Sequence, residues 1–316
     1  QPEAKGADFD VLVVGSGIGG AGVAQALAAA GHGVLVVEKG EPAAGTSSRS
    51  SKLIHGGLRY LETMELRLVH ESLRERKILL GIAPHLVRLI DFHIPVYGDM
   101  RRGTWTMRAG LSLYSLLAGF RQDSRYVSLP RSEWEALDGL RTQDLRGVLR
   151  YQDGATDDAL LTRAVLASAV ELGAEKMLGT ELIRAERTGD HWQVELSRNG
   201  VTEKVRARIL VNAAGPWAPT VARRMHPAAP CPPVALVAGT HLELPGPLTR
   251  GAYYVEAQED RRAVFAIPWK GHTLLGTTER PYEGNPDKIT PSPEEIAYLL
   301  AIYRRHFPNG DDTPIA

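Results

Sequence analysis

An α/β fold opening on a parallel βαβ unit is what the sequence predicts, and three observations predict it. Residues 11–37 contain no Asp, Glu, Lys or Arg, yet they include seven glycines. That run breaks into an apolar stretch, a glycine turn, a small-residue helical stretch, a second turn and a second apolar stretch. The composition is that of an ordinary folded chain: 316 residues, 43% hydrophobic and 23% charged, with 37 Lys plus Arg against 37 Asp plus Glu. At roughly 150 residues per domain this length gives about two domains. Such hydrophobicity at zero net charge excludes an intrinsically disordered chain. With no basic excess to neutralise phosphates, no nucleic-acid partner is expected.

The elements follow in order. Residues 9–14 (FDVLVV) read as a buried strand ending at Gly15, residues 20–30 as a tightly packing helix, and residues 34–37 as a second buried strand ending at Glu38. The glycines rule out the transmembrane helix that length and hydropathy alone would allow. Strand, turn, helix, turn and strand within about 30 residues make a βαβ unit. Its first turn carries Gly15, Gly17 and Gly20 in GxGxxG spacing. Gly15 permits the turn, Gly17 lets backbone approach a pyrophosphate, and Gly20 lets helix meet strand. The helix N-terminus offers N–H groups and positive potential to the phosphates. Glu38 stands where a carboxylate accepts from ribose hydroxyls, and its charge disfavours a 2′-phosphate. Spacing alone does not separate NAD from FAD.

Farther along, residues 65–80 keep apolar positions at helical spacing, and residues 157–172 form a second such helix stopped by Gly173. Residues 192–196 alternate as a half-buried strand, with residues 201–205 as a pairing partner. Residues 207–211 form an apolar strand running into Asn212-Ala213-Ala214-Gly215-Pro216-Trp217, where small residues let backbone lie against a ligand. Ser292, Pro293 and Glu295 open a last helix with a capping box. Residues 226–233 are proline-rich and mark a crossing between domains. Cys231 is the only cysteine, so no intrachain disulfide or thiolate metal cluster can form and no metal site is expected. The first ten residues lack the basic and apolar regions of a signal peptide.

Residues 46–62 read TSSRSSKLIHGGLRYLE. Thr46, Ser47, Ser48, Ser50 and Ser51 place five hydroxyls within six residues, and Lys52, His55, Arg59 and Tyr60 follow around Gly56-Gly57. Hydroxyls and Lys52 suit phosphate or ring-edge hydrogen bonds, the glycines suit packing on a flat ring, and the fork of Arg59 suits an anionic substrate. Read without context, the segment is equally a solvated polar loop.

This segment resembles the flavin loop of FAD-dependent glycerol-3-phosphate dehydrogenases and the related α-glycerophosphate oxidases. The resemblance continues through residues 64–84, the YQDGATDDALL of residues 151–161, residues 211–217, Gly239-Thr240-His241, Ile267-Pro268-Trp269 and Gly276-Thr277-Thr278-Glu279. Ala238 departs from a family Lys, and Gly19 from a common Asn. The chain also stops before two family segments that supply basic groups for the substrate phosphate and a backbone wall for the flavin. A partial chain is therefore expected, with the FAD site mostly present and the phosphate site incomplete.

The resemblance implies an FAD-binding Rossmann-like domain of the glutathione-reductase/D-amino-acid-oxidase type. It would comprise residues 1–80 and 152–225. An interleaved substrate domain on a mixed or antiparallel sheet would comprise residues 81–151 and 226–290, with residues 291–316 starting a helical segment. Implied FAD contacts are Gly15, Gly17, Gly20, Glu38, Lys39, Thr46, Ser47, Ser51, Lys52, His55, Gly56, Gly57, Leu58, Ala214 and Gly215. The implied reaction is oxidation of sn-glycerol 3-phosphate at C2 to dihydroxyacetone phosphate, with hydride passing to flavin N5. His241 is the expected base and His55 the alternative, while Arg59, Tyr60 and Thr278 would hold the substrate. Electrons would pass to a quinone, or to O₂ in the oxidase alternative. A non-catalytic FAD-binding fragment and an amine or amino-acid oxidase are further alternatives, the last disfavoured by the flavin loop. Residues 100–121 mix Arg with aromatic and aliphatic residues, as a helix lying in a lipid interface does; a helix packed on its own domain reads the same way. A cytoplasmic location at the membrane face and a homodimer complete the expectations.

Overall fold

The computed structural model describes residues 8–315 except 62, 101, 120–123 and 229, together with the backbone but not the side chain of Arg59. Among the described residues six α-helices form: α1 (Ile18–Ala29), α2 (Leu66–Ile82), α3 (Thr104–Leu117), α4 (Asp158–Glu171), α5 (Ala218–Ala222) and α6 (Pro293–His306). The chain divides into two compact units. One takes the described residues up to Ser50 with Asp157–Leu236, and the other takes Ser51–Thr156 with the described residues from Val237 onward.

The first unit is built on a seven-stranded sheet. Phe9–Val14 lies in its interior, parallel to Val34–Glu38 on one side and to the end of Val201–Asn212 on the other. Glu175–Leu178 extends the parallel part. His191–Arg198 runs antiparallel between Thr180–Thr188 and Val201–Asn212. Residues 201–207 do pair with the strand of residues 192–198, residues 201–205 lying opposite 198–194, but they are one strand with 207–211 rather than a separate one. The central strands read as unbroken valine and leucine because both faces are covered. On one face Val11, Val13, Val34 and Val36 pack with Ala21, Ala24 and Ala28 of α1 and Leu166 and Ala169 of α4; on the other Leu12, Leu35 and Val37 pack with Leu182, Val194 and Leu196. Asp157 caps α4, its carboxylate accepting from Leu160 N at 3.1 Å, an interaction worth about 1 kcal/mol.

The second unit carries an eight-stranded mixed sheet. Val87–Tyr97 and Leu145–Thr156 form a long antiparallel pair at its heart. Ala252–Glu256 joins parallel to Val87–Tyr97, and Ala263–Trp269, His272–Gly276 and His241–Leu244 continue antiparallel. Leu53–Ile54 pairs with Leu145–Thr156 at the other edge. That edge pairing, and the packing of Val69 and Leu73 of α2 against Phe92, Ile94 and Tyr114, associate residues 51–80 with this unit, whereas the sequence-based division has them with the first. Helix α6 belongs to this unit as well: Leu299, Ile302 and Tyr303 pack on Leu242, Leu244, Tyr253 and Leu275. Its start has the expected capping box between Ser292 and Glu295 with Pro293 at the first turn. Helix α3 buries Met107, Leu111 and Tyr114 in the unit's own core, while Trp105 is 81% exposed. Much of the apolar face of residues 100–121 is thus used internally; Arg101, Phe120 and Arg121 lie outside the described residues.

Candidate functional site

In the first unit the glycine turn is as close as backbone can be. Gly15 has φ +100°, and a Cβ there would stand 2.7 Å from the Ala213 carbonyl oxygen. A Cβ on Gly20 would stand 1.9 Å from the Gly15 carbonyl oxygen. Gly15 N donates to Val37 O at 2.8 Å, and Ala213 N to Val14 O at 2.9 Å. The turn is thereby tied to the strand ends carrying Glu38 and Ala214-Gly215, so three segments distant in sequence meet.

Gly17 is the N-cap of α1 and gives it no side-chain cap; instead Ile18 N donates to Ser47 Oγ at 2.9 Å. Thr46 opens the short 3₁₀ turn that presents Ser47. Glu38 accepts from Ser16 N (2.8 Å) and Ser16 Oγ (3.0 Å) on one oxygen and from Gly40 N (3.0 Å) on the other. An ionised carboxylate has about four acceptor positions, so these bonds leave it capacity for a ribose hydroxyl while holding it beside the turn. Lys39 Nζ lies 4.6 Å from the centroid of the Trp217 ring, and Gly45 is bare where a Cβ would come 3.0 Å from that ring. The buried Trp217 Nε1 has no hydrogen-bond partner. A helix N-terminus whose one side-chain partner comes from Ser47, a glycine turn packed directly on neighbouring backbone and an orphaned buried donor fit a dinucleotide's phosphates and sugars.

The second unit holds the remainder of the flavin-loop segment. Ser51 Oγ and His241 Nε2 are 3.0 Å apart, although 190 residues separate them in sequence. His241 starts the strand that pairs with His272–Gly276, and Gly276 makes room for it: a Cβ there would stand 2.4 Å from His241 Cδ2. Lys52 is buried in a left-handed conformation, φ +60°, with Nζ 5.1 Å from the Trp269 ring centroid. Gly57 N donates to His55 Nδ1 at 3.0 Å. The neutral His55 ring therefore carries its proton on Nε2, a tautomer assigned from the hydrogen bond. Leu58 and Tyr60 lie in a short 3₁₀ helix, Tyr60 being 39% exposed; the Arg59 side chain is outside the described part.

Thr278 is buried, and its hydroxyl is already engaged. It accepts from Thr240 N at 2.8 Å and donates to Glu295 Oε1 at 2.5 Å. Having given its one proton to a carboxylate, it has none for a substrate; it anchors the loop before His241 to the start of α6. Burial acts to raise the Glu295 pKa, but hydrogen bonds from Thr278, the Ser292 backbone and Arg280 outweigh it and keep the carboxyl below its ordinary value.

One cluster escapes sequence reasoning. Arg76 of α2 pairs with Asp153 at 2.5 Å, both almost wholly buried. The Tyr114 hydroxyl donates to Asp153 Oδ2 at 2.9 Å and accepts from Gly56 N at 3.0 Å. Burial, then the Asp153 charge, pushes the Tyr114 pKa well above 10, which keeps the phenol a donor. In sequence Arg76 looks like one more solvated helix charge, and its partner lies 77 residues away. The only signal was an acid, Asp153, followed directly by Gly154. No group of three or more His, Cys, Asp or Glu among the described residues could hold a metal.

The likeness to known proteins follows the same geometry. The chain is 42% identical over 305 residues to a glycerol-3-phosphate dehydrogenase of Pseudomonas aeruginosa, covering 95% of this chain and 58% of the relative. It is 38% identical over 303 residues to a D-erythritol 1-phosphate dehydrogenase of Brucella abortus, covering 94% of this chain and 60% of the relative. The chain thus spans about three-fifths of the length of these relatives. Among solved structures, the glycerol-3-phosphate dehydrogenase of Bacillus halodurans complexed with FAD superposes with a TM-score of 0.74 at 28% identity, over 96% of this chain and 53% of that one. The family model described as FAD dependent oxidoreductase matches residues 10–316. With a glycine turn packed on backbone at Gly15 and Gly20 and a family match across almost its whole length, the chain belongs to the FAD dependent oxidoreductases.

Proposed function

We propose that this chain is the cofactor-binding and proton-accepting part of an enzyme that oxidises sn-glycerol 3-phosphate to dihydroxyacetone phosphate. The single observation that carries the reading is the Ser51–His241 pair, which brings an imidazole to the flavin-loop segment. The first unit would serve as the FAD-binding part: Gly15, Gly17, Gly20, Glu38, Lys39, Thr46, Ser47, Ala214 and Gly215 would hold the dinucleotide. In the second, Ser51, Lys52, His55, Gly56, Gly57 and Leu58 would lie at the ring, and the remaining surface would take the substrate. FAD held there would supply the acceptor for the hydride from C2.

The chain's own residues supply the proton chemistry. As the C2 carbonyl forms, the hydroxyl proton leaves for His241. The nitrogen already within 3.0 Å of one hydroxyl, Nε2, is the accepting atom, and an imidazole accepts a proton at neutral pH. His55 is the weaker candidate, because its Nδ1 lone pair is taken by Gly57 N and its Nε2 carries the proton. Arg59 and Tyr60 would orient the substrate, and Thr278 would act indirectly by fixing the backbone beside His241. Quinone is the proposed acceptor, at the cytoplasmic face of a membrane met by residues 100–121. The 81% exposure of Trp105, with Arg108 5.4 Å from its ring centroid, supports that contact. No helix among the described residues is long and apolar enough to cross a membrane. A homodimer is part of the same proposal, tested by sedimentation.

The test is anaerobic mixing of the flavin-loaded protein with glycerol 3-phosphate, D-erythritol 1-phosphate or sarcosine, following the visible band. Bleaching by glycerol 3-phosphate is expected. Bleaching by sarcosine alone would replace this reading with an amine oxidase. Oxygen uptake compared with quinone reduction then assigns the acceptor.

A further inference from the structure

The buried cluster of Arg76, Asp153 and Tyr114 lies outside every role assigned above, and its hydrogen bonds converge on one stretch of backbone. Leu53–Ile54 pairs with Gly154 and Ala155 at the sheet edge. Two residues later Gly56 N points at the Tyr114 hydroxyl (3.0 Å) and the Asp153 carboxylate (3.3 Å to Oδ1). Asp153 Oδ1 also accepts from Gly154 N at 3.0 Å, and Arg76 Nη1 reaches both Asp153 and the Gln152 carbonyl oxygen. No side chain fits at position 56. A Cβ on it would stand 2.3 Å from the Tyr114 hydroxyl oxygen and 2.4 Å from Leu73 Cδ2.

Stability gives little reason to keep such a cluster. Taking two charges out of water costs as much as their attraction returns, and apolar replacements of similar volume are often neutral or stabilising. What the charges add over an apolar core is direction: a fixed set of acceptors for particular amides.

We propose that Arg76, Asp153 and Tyr114 are positioning residues that lock the His55-Gly56-Gly57 backbone at the height where it meets the flavin. The inference rests on the FAD reading of residues 51–58 and names what holds that surface in place. Asp153 is the acceptor, Arg76 fixes and neutralises it, and Tyr114 passes its charge to the Gly56 amide. The residues touch no substrate; they act through the loop.

Two variants test it, with readouts that need no turnover. Tyr114→Phe removes the hydroxyl and leaves the ring, and Arg76→Met with Asp153→Leu replaces the ion pair by apolar volume. Hydrogen exchange of the flavin-free protein should show the Gly56 amide exchanging at least tenfold faster in both, with amides of Val87–Tyr97 unchanged. The FAD dissociation constant should rise tenfold or more and the visible flavin bands should shift in both. A purely structural cluster would accelerate exchange throughout the unit and leave the affinity of the folded protein alone. The proposal is overturned if Tyr114→Phe keeps wild-type FAD affinity, flavin spectrum and Gly56 protection; this variant decides by itself should the double variant not fold. The outcomes separate from the substrate reading: protein that binds FAD through this cluster yet ignores glycerol 3-phosphate refutes the substrate and supports the anchor.

Discussion

Gly276→Ala tests the proposed base without touching it. The new methyl would sit 2.4 Å from His241 Cδ2, 2.8 Å from Cγ and 3.0 Å from Nε2. Ordinary carbon contacts begin near 3.4 Å, so the ring has to retreat by about 1 Å. A ring can swing, so the stability cost should fall at the low end of overpacking, about 1 kcal/mol, or a few degrees in thermal midpoint. Function should suffer more. A retreat of about 1 Å takes His241 Nε2 out of hydrogen-bond range of Ser51 Oγ, from 3.0 Å to roughly 4 Å. Misplacement on that scale costs on the order of 100-fold in rate, or about 2.7 kcal/mol of barrier. Anaerobic stopped-flow reduction of bound flavin by glycerol 3-phosphate measures it, with FAD affinity determined alongside. His241→Ala should lose about 100-fold or more by itself, and the double variant should lose no more than His241→Ala, since both changes disable one group. A wild-type reduction rate in Gly276→Ala, or fully additive losses in the double variant, would refute the argument.

Other expectations are simpler. His306 lies buried at the end of α6, and burial drives its pKa down to about 4 from 6.5. The unfolded chain therefore takes up a proton between pH 6.5 and 4 that the folded chain refuses, and stability falls as pH falls through that window. Between pH 7 and 5 the loss from this group is about 2 kcal/mol; thermal melts of His306→Asn should show a correspondingly flatter pH dependence than wild type, and parallel curves would contradict the assignment. Trp105→Ala with Arg108→Ala should abolish flotation with anionic liposomes if α3 meets a lipid interface; undiminished flotation removes residues 100–121 from that role. Ser292→Ala should cost about 1 kcal/mol through the lost capping box of α6, read as a lower denaturant midpoint.

The glycine turn was legible because its chemistry is local: Gly15 and Gly20 are bare where neighbouring backbone stands within about 3 Å, Gly17 where the Ser47 hydroxyl does, and that constraint is written in closely spaced residues. The strands at 9–14 and 34–38 and the start of α6 were legible for the same reason. Val87–Tyr97 and Leu145–Thr156 were not. Pro95 interrupts one, Arg88, Asp91, Arg150 and Asp153 break the apolar pattern, and only their pairing across the sheet makes strands of them. Arg76 and Thr278 show the other limit. Their partners, Asp153 and Glu295, are distant in sequence, so a buried ion pair and a spent hydroxyl looked like a solvated charge and a free one.

The interleaving of the two units has a consequence for synthesis. Phe9–Val14 must wait for Val201–Asn212 before its second flank is covered. At ribosomal speeds of roughly 5–20 residues per second, that wait is on the order of 10–40 seconds. Through it a strand of valine and leucine, its edge unpaired, is held by nothing but a partial sheet. A newly made chain of this kind invites a chaperone's grip, and slowing elongation would be expected to lower its yield of soluble product more than its finished stability would suggest.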